Sequence, residues 1–191
     1  FSEWQKSPAA AKGLQCQACH MKPDGHFKNI APGKGGIIRE AKGLASHQIM
    51  PGGLQQMLQS SIHHEEEVVL GETECVVIVQ LKAVNVGHKV PTGYIDRHMI
   101  LQVRAKFHEE EFKPIDGPTL PAWVDKKLVG NAGVLFGRPL LSEDKQGIQP
   151  FWQGGTDLVD SRLEPEIAQV WVWRFPRNIE SVQISLIYRP F

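Results

Sequence analysis

Cys16-Gln17-Ala18-Cys19-His20 places two thiols three positions apart, with an imidazole directly after the second. That spacing suits covalent porphyrin attachment. Two thiols can add across two vinyl groups from a single turn of chain, and the adjoining His20 can supply its imidazole to the iron as the proximal ligand. A thioredoxin-like Cys-x-x-Cys needs a βαβ setting and has no obligatory histidine. A structural zinc site needs a second ligand pair, whereas the one remaining cysteine, Cys75, stands alone. The motif therefore predicts one haem c, bound covalently through Cys16 and Cys19 and ligated by His20. Cys75 is then left without a disulfide partner, and its apolar strand predicts a buried, inert thiol.

The sixth coordination position decides the chemistry. A second histidine gives a closed, low-potential electron-transfer centre, methionine raises the potential, and an open position admits ligands or substrates. His88 is the first candidate, in Asn85-Val86-Gly87-His88-Lys89-Val90-Pro91-Thr92-Gly93, a turn between two strands whose glycines and proline can fix the direction of an imidazole. His47, in Ser46-His47-Gln48-Ile49-Met50-Pro51-Gly52-Gly53, is the alternative, because a loop from His20 could carry it over the ring. Met50 and Met57 follow, and Met21 is excluded because it adjoins the proximal ligand. Arg39, Arg97 and Arg104 are candidates to pair with haem propionates through a bidentate guanidinium, with Arg97 best placed, shortly after His88. His63-His64-Glu65-Glu66-Glu67 reads as a solvated helix end, since adjacent histidines on a helix diverge and His-Glu-x-x-His is absent. His26, His98 and His108 have no convergent partners in the sequence.

The elements that must position these residues fall into two stretches. Over residues 1–67 glycine, lysine and histidine are frequent and strand patterns are absent. Lys12-Gly13 predicts the end of a short helical turn from Trp4, with Gly13 past its C-terminus. The glycine- and proline-rich run 22–53 cannot form regular structure on its own, but it can fold against the apolar face of a porphyrin. Leu54, Met57, Leu58 and Ile62 then recur at helical spacing, in a helix expected to run to Glu66. From Glu72 the period changes to two. Cys75, Val77, Val79, Leu81 and Ala83 share one face, and residues 99–107, 168–175 and 181–188 alternate likewise, with irregular insertions at 117–123 and 130–152.

The expected fold is α+β and mainly β. A haem-binding segment with short helices and little regular structure spans 1–67, and an antiparallel immunoglobulin-like β-sandwich spans 68–191. With 191 residues, 41% of them hydrophobic, the chain can bury a real core. Its 21 basic and 21 acidic residues cancel, which argues against a nucleic-acid partner. No apolar run is long enough for a transmembrane segment. The first residue, Phe1, is not Met, which fits removal of either a signal peptide or a longer N-terminal part. Covalent haem attachment places the protein outside the cytoplasm, periplasmic or extracellular.

These motifs resemble bacterial multihaem c-type cytochromes in which a haem segment runs into a β-sandwich. The residues that carry the resemblance are Trp4 and Ser7, Gly13-Leu14-Gln15-Cys16-Gln17-Ala18-Cys19-His20-Met21, His47 with Pro51-Gly52-Gly53, and Gly87-His88-Lys89-Val90-Pro91-Thr92-Gly93 with Arg97. Asp160-Ser161-Arg162-Leu163 with Pro165-Glu166 completes the set. The resemblance implies electron transfer through a haem held largely by histidines. Two departures limit it. A single Cys-x-x-Cys-His is present, and the histidine that relatives carry soon after Trp-x-x-Ser is replaced by Ser7-Pro8-Ala9-Ala10. The expectation is a monohaem electron-transfer protein with bis-histidine ligation, not an enzyme, working with other cytochromes or a respiratory or photosynthetic redox complex. The alternative is a small haem enzyme or gas sensor with an open sixth position, where His47 and His88 would act as distal acid–base groups. A third reading is a docking subunit that uses Trp123, Phe136, Phe151 and Trp152.

Overall fold

Alternating burial along Glu74–Ala83, where every second side chain is buried, marks a strand with one face in a core and the other toward its surroundings. The computed structural model describes residues 1–190 except 24, 27, 30, 32, 47–52, 145–146, 151 and 154–156. Short helices come first: α1 (Ser2–Gln5), α2 (Pro8–Ala11), α3 (Cys16–His20), a 3-10 turn at Ala41–Gly43, and α4 (Gly53–Ser61). Strands follow: β1 (Ile62–Leu70), β2 (Glu74–Ala83), β3 (His98–Phe107), β4 (Glu110–Phe112), β5 (Gly133–Gly137), β6 (Leu140–Leu141), β7 (Asp157–Leu158), β8 (Ala168–Pro176) and β9 (Ser181–Arg189). Strand exceeds helix, 38% against 13%, and the described pairings between named strands are antiparallel, so the mainly β expectation holds.

The chain divides into two compact units, Phe1–His63 with Val84–His88, and His64–Ala83 with Lys89–Phe191. In the first unit the expected single turn from Trp4 is broken into α1 and α2. The Ser7 hydroxyl accepts from the Ala10 N–H at 3.3 Å as the α2 N-cap, and Pro8 fills the first helical position, where no N–H is needed. Gly13 adopts a left-handed φ of +69° just past α2, as its position predicts. Among the described residues of this unit, Leu44 is the one buried hydrophobic side chain.

Helix α4 stops at Ser61, and the sequence expectation of a helix running to Glu66 fails. His63 and His64 begin strand β1, whose partner β2 supplies a Gln80 amide donating to the Glu65 carboxylate at 3.1 Å. Pairing to a neighbour, with Val68 and Val69 favouring extended backbone, overrides the weak helix preference of three glutamates.

Among its described residues the second unit holds two larger sheets and the small antiparallel pair β6-β7. Of the larger two, one is ordered β1-β2-β8, and in the other β3 is central, with β9 on one edge and β5 and β4 on the other. Cys75 lies opposite Phe175, Val77 opposite Trp173 and Val79 opposite Trp171, which concentrates aromatic surface on the inner face. Phe136 of β5 meets Trp171 of β8 edge to face, with centroids 5.2 Å apart. Trp173 is fully buried, and its indole N–H donates to the Pro118 carbonyl at 2.7 Å. The carbonyl-bearing segment reaches that ring because Gly117 has φ +118° and a Cβ there would lie 2.6 Å from the Val172 oxygen. Strand β3 is buried on both faces because the insertion after Gly117 covers its outer side: Leu120 and Val124 pack with Ile100 and Leu135, and Trp123, Leu128 and Ile187 pack against them. The insertion aromatics Trp123 and Phe136 thus serve the core, and Trp152 remains 70% exposed.

Candidate haem-binding site

Helix α3 is one turn long, and Cys16 and Cys19 at i and i+3 share a face of it. Cys16 is exposed, Cys19 and His20 are partly exposed, and none of the chain's cysteines is in a disulfide. The approach to this turn is held from upstream. The Leu14 N–H donates to the Ala9 carbonyl at 2.9 Å, and the Trp4 indole N–H donates to the Leu14 carbonyl at 2.8 Å.

His88 lies in the same unit, although it follows strand β2. Its loop is anchored there by the Val84 N–H donating to Ser61 O at 2.9 Å and the Asn85 amide donating to Ser60 O at 3.3 Å. The imidazoles of His20 and His88 lie with centroids 6.1 Å apart and planes 19° from parallel. Metal–imidazole bonds are about 2.0 Å long. Two such bonds to one iron, each extended by the distance from ring nitrogen to ring centre, set centroids at about 6 Å. The centroid separation of the pair matches that spacing. The poverty of the core in this unit fits a porphyrin as well. Leu14, Ile37 and Ile38 are 43, 73 and 76% exposed, apolar surface that a macrocycle would cover.

The other expected residues are distributed as follows. His47 and Met50 lie outside the described residues. Met57 is partly buried in α4. Arg97 belongs to the second unit. Its guanidinium lies over the Tyr94 ring at 5.6 Å and donates weakly to Thr92 O at 3.5 Å, while its Nε is buried with no partner. Such an orphaned donor is what a carboxylate would satisfy. Gly93 makes room for it: with φ +104°, a Cβ there would lie 2.5 Å from an Arg97 terminal nitrogen. Arg104 is engaged elsewhere, in a two-nitrogen contact with Glu111 at 2.9 and 2.8 Å. Arg39 flanks an open dish in the first unit with Lys28, Lys42 and Ile38. Among the described residues no group of three or more His, Cys, Asp or Glu converges on a metal position, so His63, His64 and the glutamates form no such cluster.

Cys75 is 2% exposed, and burial pushes its thiol above the ordinary value. Beyond His88 the chain is pinned within the second unit. Val90 and Leu163 exchange backbone hydrogen bonds at 3.0 and 2.8 Å. Lys89 reaches Glu164 at 2.6 Å and Asp160 at 3.5 Å, and the Glu164 hydrogen bond leads in raising its ammonium. The Arg162 hydrogen bond holds the Asp160 carboxyl far below the usual carboxylate range, against the opposing effect of burial. Asp160-Ser161-Arg162-Leu163 thus has a structural office that the sequence pattern did not reveal.

Sequence reading also missed what Gly87 does. Its φ is not left-handed, so backbone freedom is not its role. A Cβ there would meet Trp4 Cδ1 at 3.0 Å, Ala9 Cβ at 3.3 Å and Ser7 Oγ at 3.8 Å. The missing side chain lets the loop that bears His88 seat on α1 and α2.

With this geometry in hand, the fold matches that of a multihaem c-type cytochrome. The chain is similar to the crystal structure of a penta-heme cytochrome c552 from Thermochromatium tepidum, with a TM-score of 0.63 and 21% sequence identity over 99% of this chain. The match covers 42% of that protein's chain, so this chain spans less than half of its length. No family profile and no curated protein matches the chain. Among the described residues no helix is long and apolar enough to cross a membrane.

Proposed function

We propose that this chain is a c-type cytochrome segment that carries one haem and passes single electrons outside the cytoplasm. Cys16 and Cys19 hold the porphyrin through thioethers, and His20 and His88 occupy the two axial positions. A haem so held supplies a one-electron couple that needs no ligand exchange. The chain's own residues do the rest. The two histidines close the iron to exogenous ligands, and Leu14, Ile37 and Ile38 exclude water from the ring. The single observation that carries this reading is the 6.1 Å approach of the His20 and His88 rings at 19°, beside two cysteines at attachment spacing.

The working partners on this reading are other cytochromes or a respiratory or photosynthetic redox complex, and the location is periplasmic or extracellular. The likeness to a penta-heme cytochrome supports a place beside other haems. An open-site enzyme or sensor would need His88 withdrawn from its place near His20. Carbon monoxide separates the two. The reduced protein is expected to leave added CO unbound on the mixing timescale, and prompt, stoichiometric CO binding would overturn the closed-site reading.

A further inference from the structure

The Trp4 side chain touches both arms of the proposed centre, and nothing in the haem motif calls for it. Its indole N–H donates to the carbonyl of Leu14, two residues before Cys16, at 2.8 Å. Its Cδ1 lies where Gly87, the residue before His88, leaves room, 3.0 Å from the position of an added Cβ. The residue is held at its ring and at its backbone carbonyl. Phe1 packs on it with centroids 5.3 Å apart, the Ser7 hydroxyl donates to the Trp4 carbonyl at 2.7 Å, and Ser7 N–H donates to the same carbonyl at 2.9 Å.

We propose that Trp4 is a positioning residue for the axial ligands: one rigid ring sets the segment that carries His20 and seats the glycine that carries His88. The inference rests on the reading of His88 as the distal ligand. A planar side chain with two rotatable angles suits this task, since little freedom is lost in fixing it. Gly87 is the matching half of the device. Because its backbone is in ordinary territory, any larger residue there acts through Trp4 and Ala9 rather than through φ strain.

The test uses the haem-loaded protein and four variants: Trp4→Ala, Gly87→Val, the double Trp4→Ala/Gly87→Val, and His88→Ala. EPR reads the low-spin fraction, CO binding reads access to the iron, and circular dichroism reads the fold. Trp4→Ala and Gly87→Val are each expected to lower the low-spin fraction and to raise CO binding about tenfold, as follows when the open form is populated that much more. In the double variant the valine fills the space left by the indole, and the low-spin fraction is expected to recover toward wild type. Should Gly87→Val fail to fold, Gly87→Ala brings a smaller version of the same clash. Unchanged spectra in both single variants, with only a lower thermal midpoint, would overturn the positioning role while leaving His88 as ligand. An unchanged spectrum in His88→Ala would instead remove the reading beneath it, and the proposal with it.

Discussion

His20 and His88 hold their rings 6.1 Å apart and 19° from parallel, although an α-helix and two long strands separate them in the chain. Neither residue can reach the other by local folding. The approach depends on Ser60 and Ser61 receiving the Asn85 amide and the Val84 N–H, which returns the chain from the end of β2 to the unit that contains α3.

The thiols of Cys16 and Cys19 are expected to carry the porphyrin as thioethers. Intact-mass measurement under denaturing conditions should give the polypeptide plus one haem. Cys19→Ala should retain it through one bond, and the Cys16→Ala/Cys19→Ala double variant should lose it on extraction. A wild-type polypeptide mass with free haem would refute covalent attachment.

Trp173 should dominate the stability of the β-sandwich. Removing a fully buried indole by Trp173→Ala is expected to cost about 3–5 kcal/mol in urea unfolding. Trp173→Phe keeps most of the volume but abandons the hydrogen bond to Pro118 O, and it is expected to cost about 1–3 kcal/mol.

The Asp160 carboxyl is held low by Arg162, whose side chain is 7% exposed while that of Asp160 is 30% exposed. A depressed folded pKa stabilises the protein above the unfolded value, about 3.9, and this gain is lost as pH falls from there toward the folded value. Asp160→Asn is therefore expected to cost about 1–2 kcal/mol at neutral pH. The gap between variant and wild type should narrow as the pH falls below about 4. Lys89 has the opposite sign: its raised pKa stabilises the fold below about 10.4, and that contribution fades as pH rises through the folded value. A gap that widens in acid would contradict the Asp160 pairing.

Cys75, 2% exposed with its thiol raised by burial, should resist alkylation in the folded protein and react only on unfolding. Cys75→Ser is expected to destabilise more than Cys75→Ala, because a hydroxyl at that depth needs a partner. Thermal melts with haem absorbance as a second readout check both statements, and equal melts would contradict the second.

What the sequence made legible follows from where period and chemistry are local. Cys75, Val77, Val79, Leu81 and Ala83 alternate because one face of β2 is buried and the other is not, so strand and core could be read together. The expectation of haem attachment rests on five consecutive residues, Cys16 to His20, and needs no distant contact to be stated. The helix-to-strand change at Ser61–Ile62 was not readable, since pairing to β2 decides it and the glutamates alone do not. Arg97 was preferred to Arg104 from its place shortly after His88, and the pairing of Arg104 with Glu111, which separates them in the fold, was not legible in sequence. Of the distal candidates, His47 and Met50 fall outside the described residues, and the fit of Gly87 against Trp4 beside His88 was not legible, because Trp4 lies far along the chain from that loop.

The central claim is that His88 completes the axial pair with His20. Low-temperature EPR of the oxidised haem protein, recorded beside His88→Ala, tests it most directly. The expected result is a low-spin bis-histidine signal in the wild type that turns largely high-spin in His88→Ala and returns on addition of free imidazole. A low-spin signal that survives in His88→Ala, or a high-spin wild type, would contradict it.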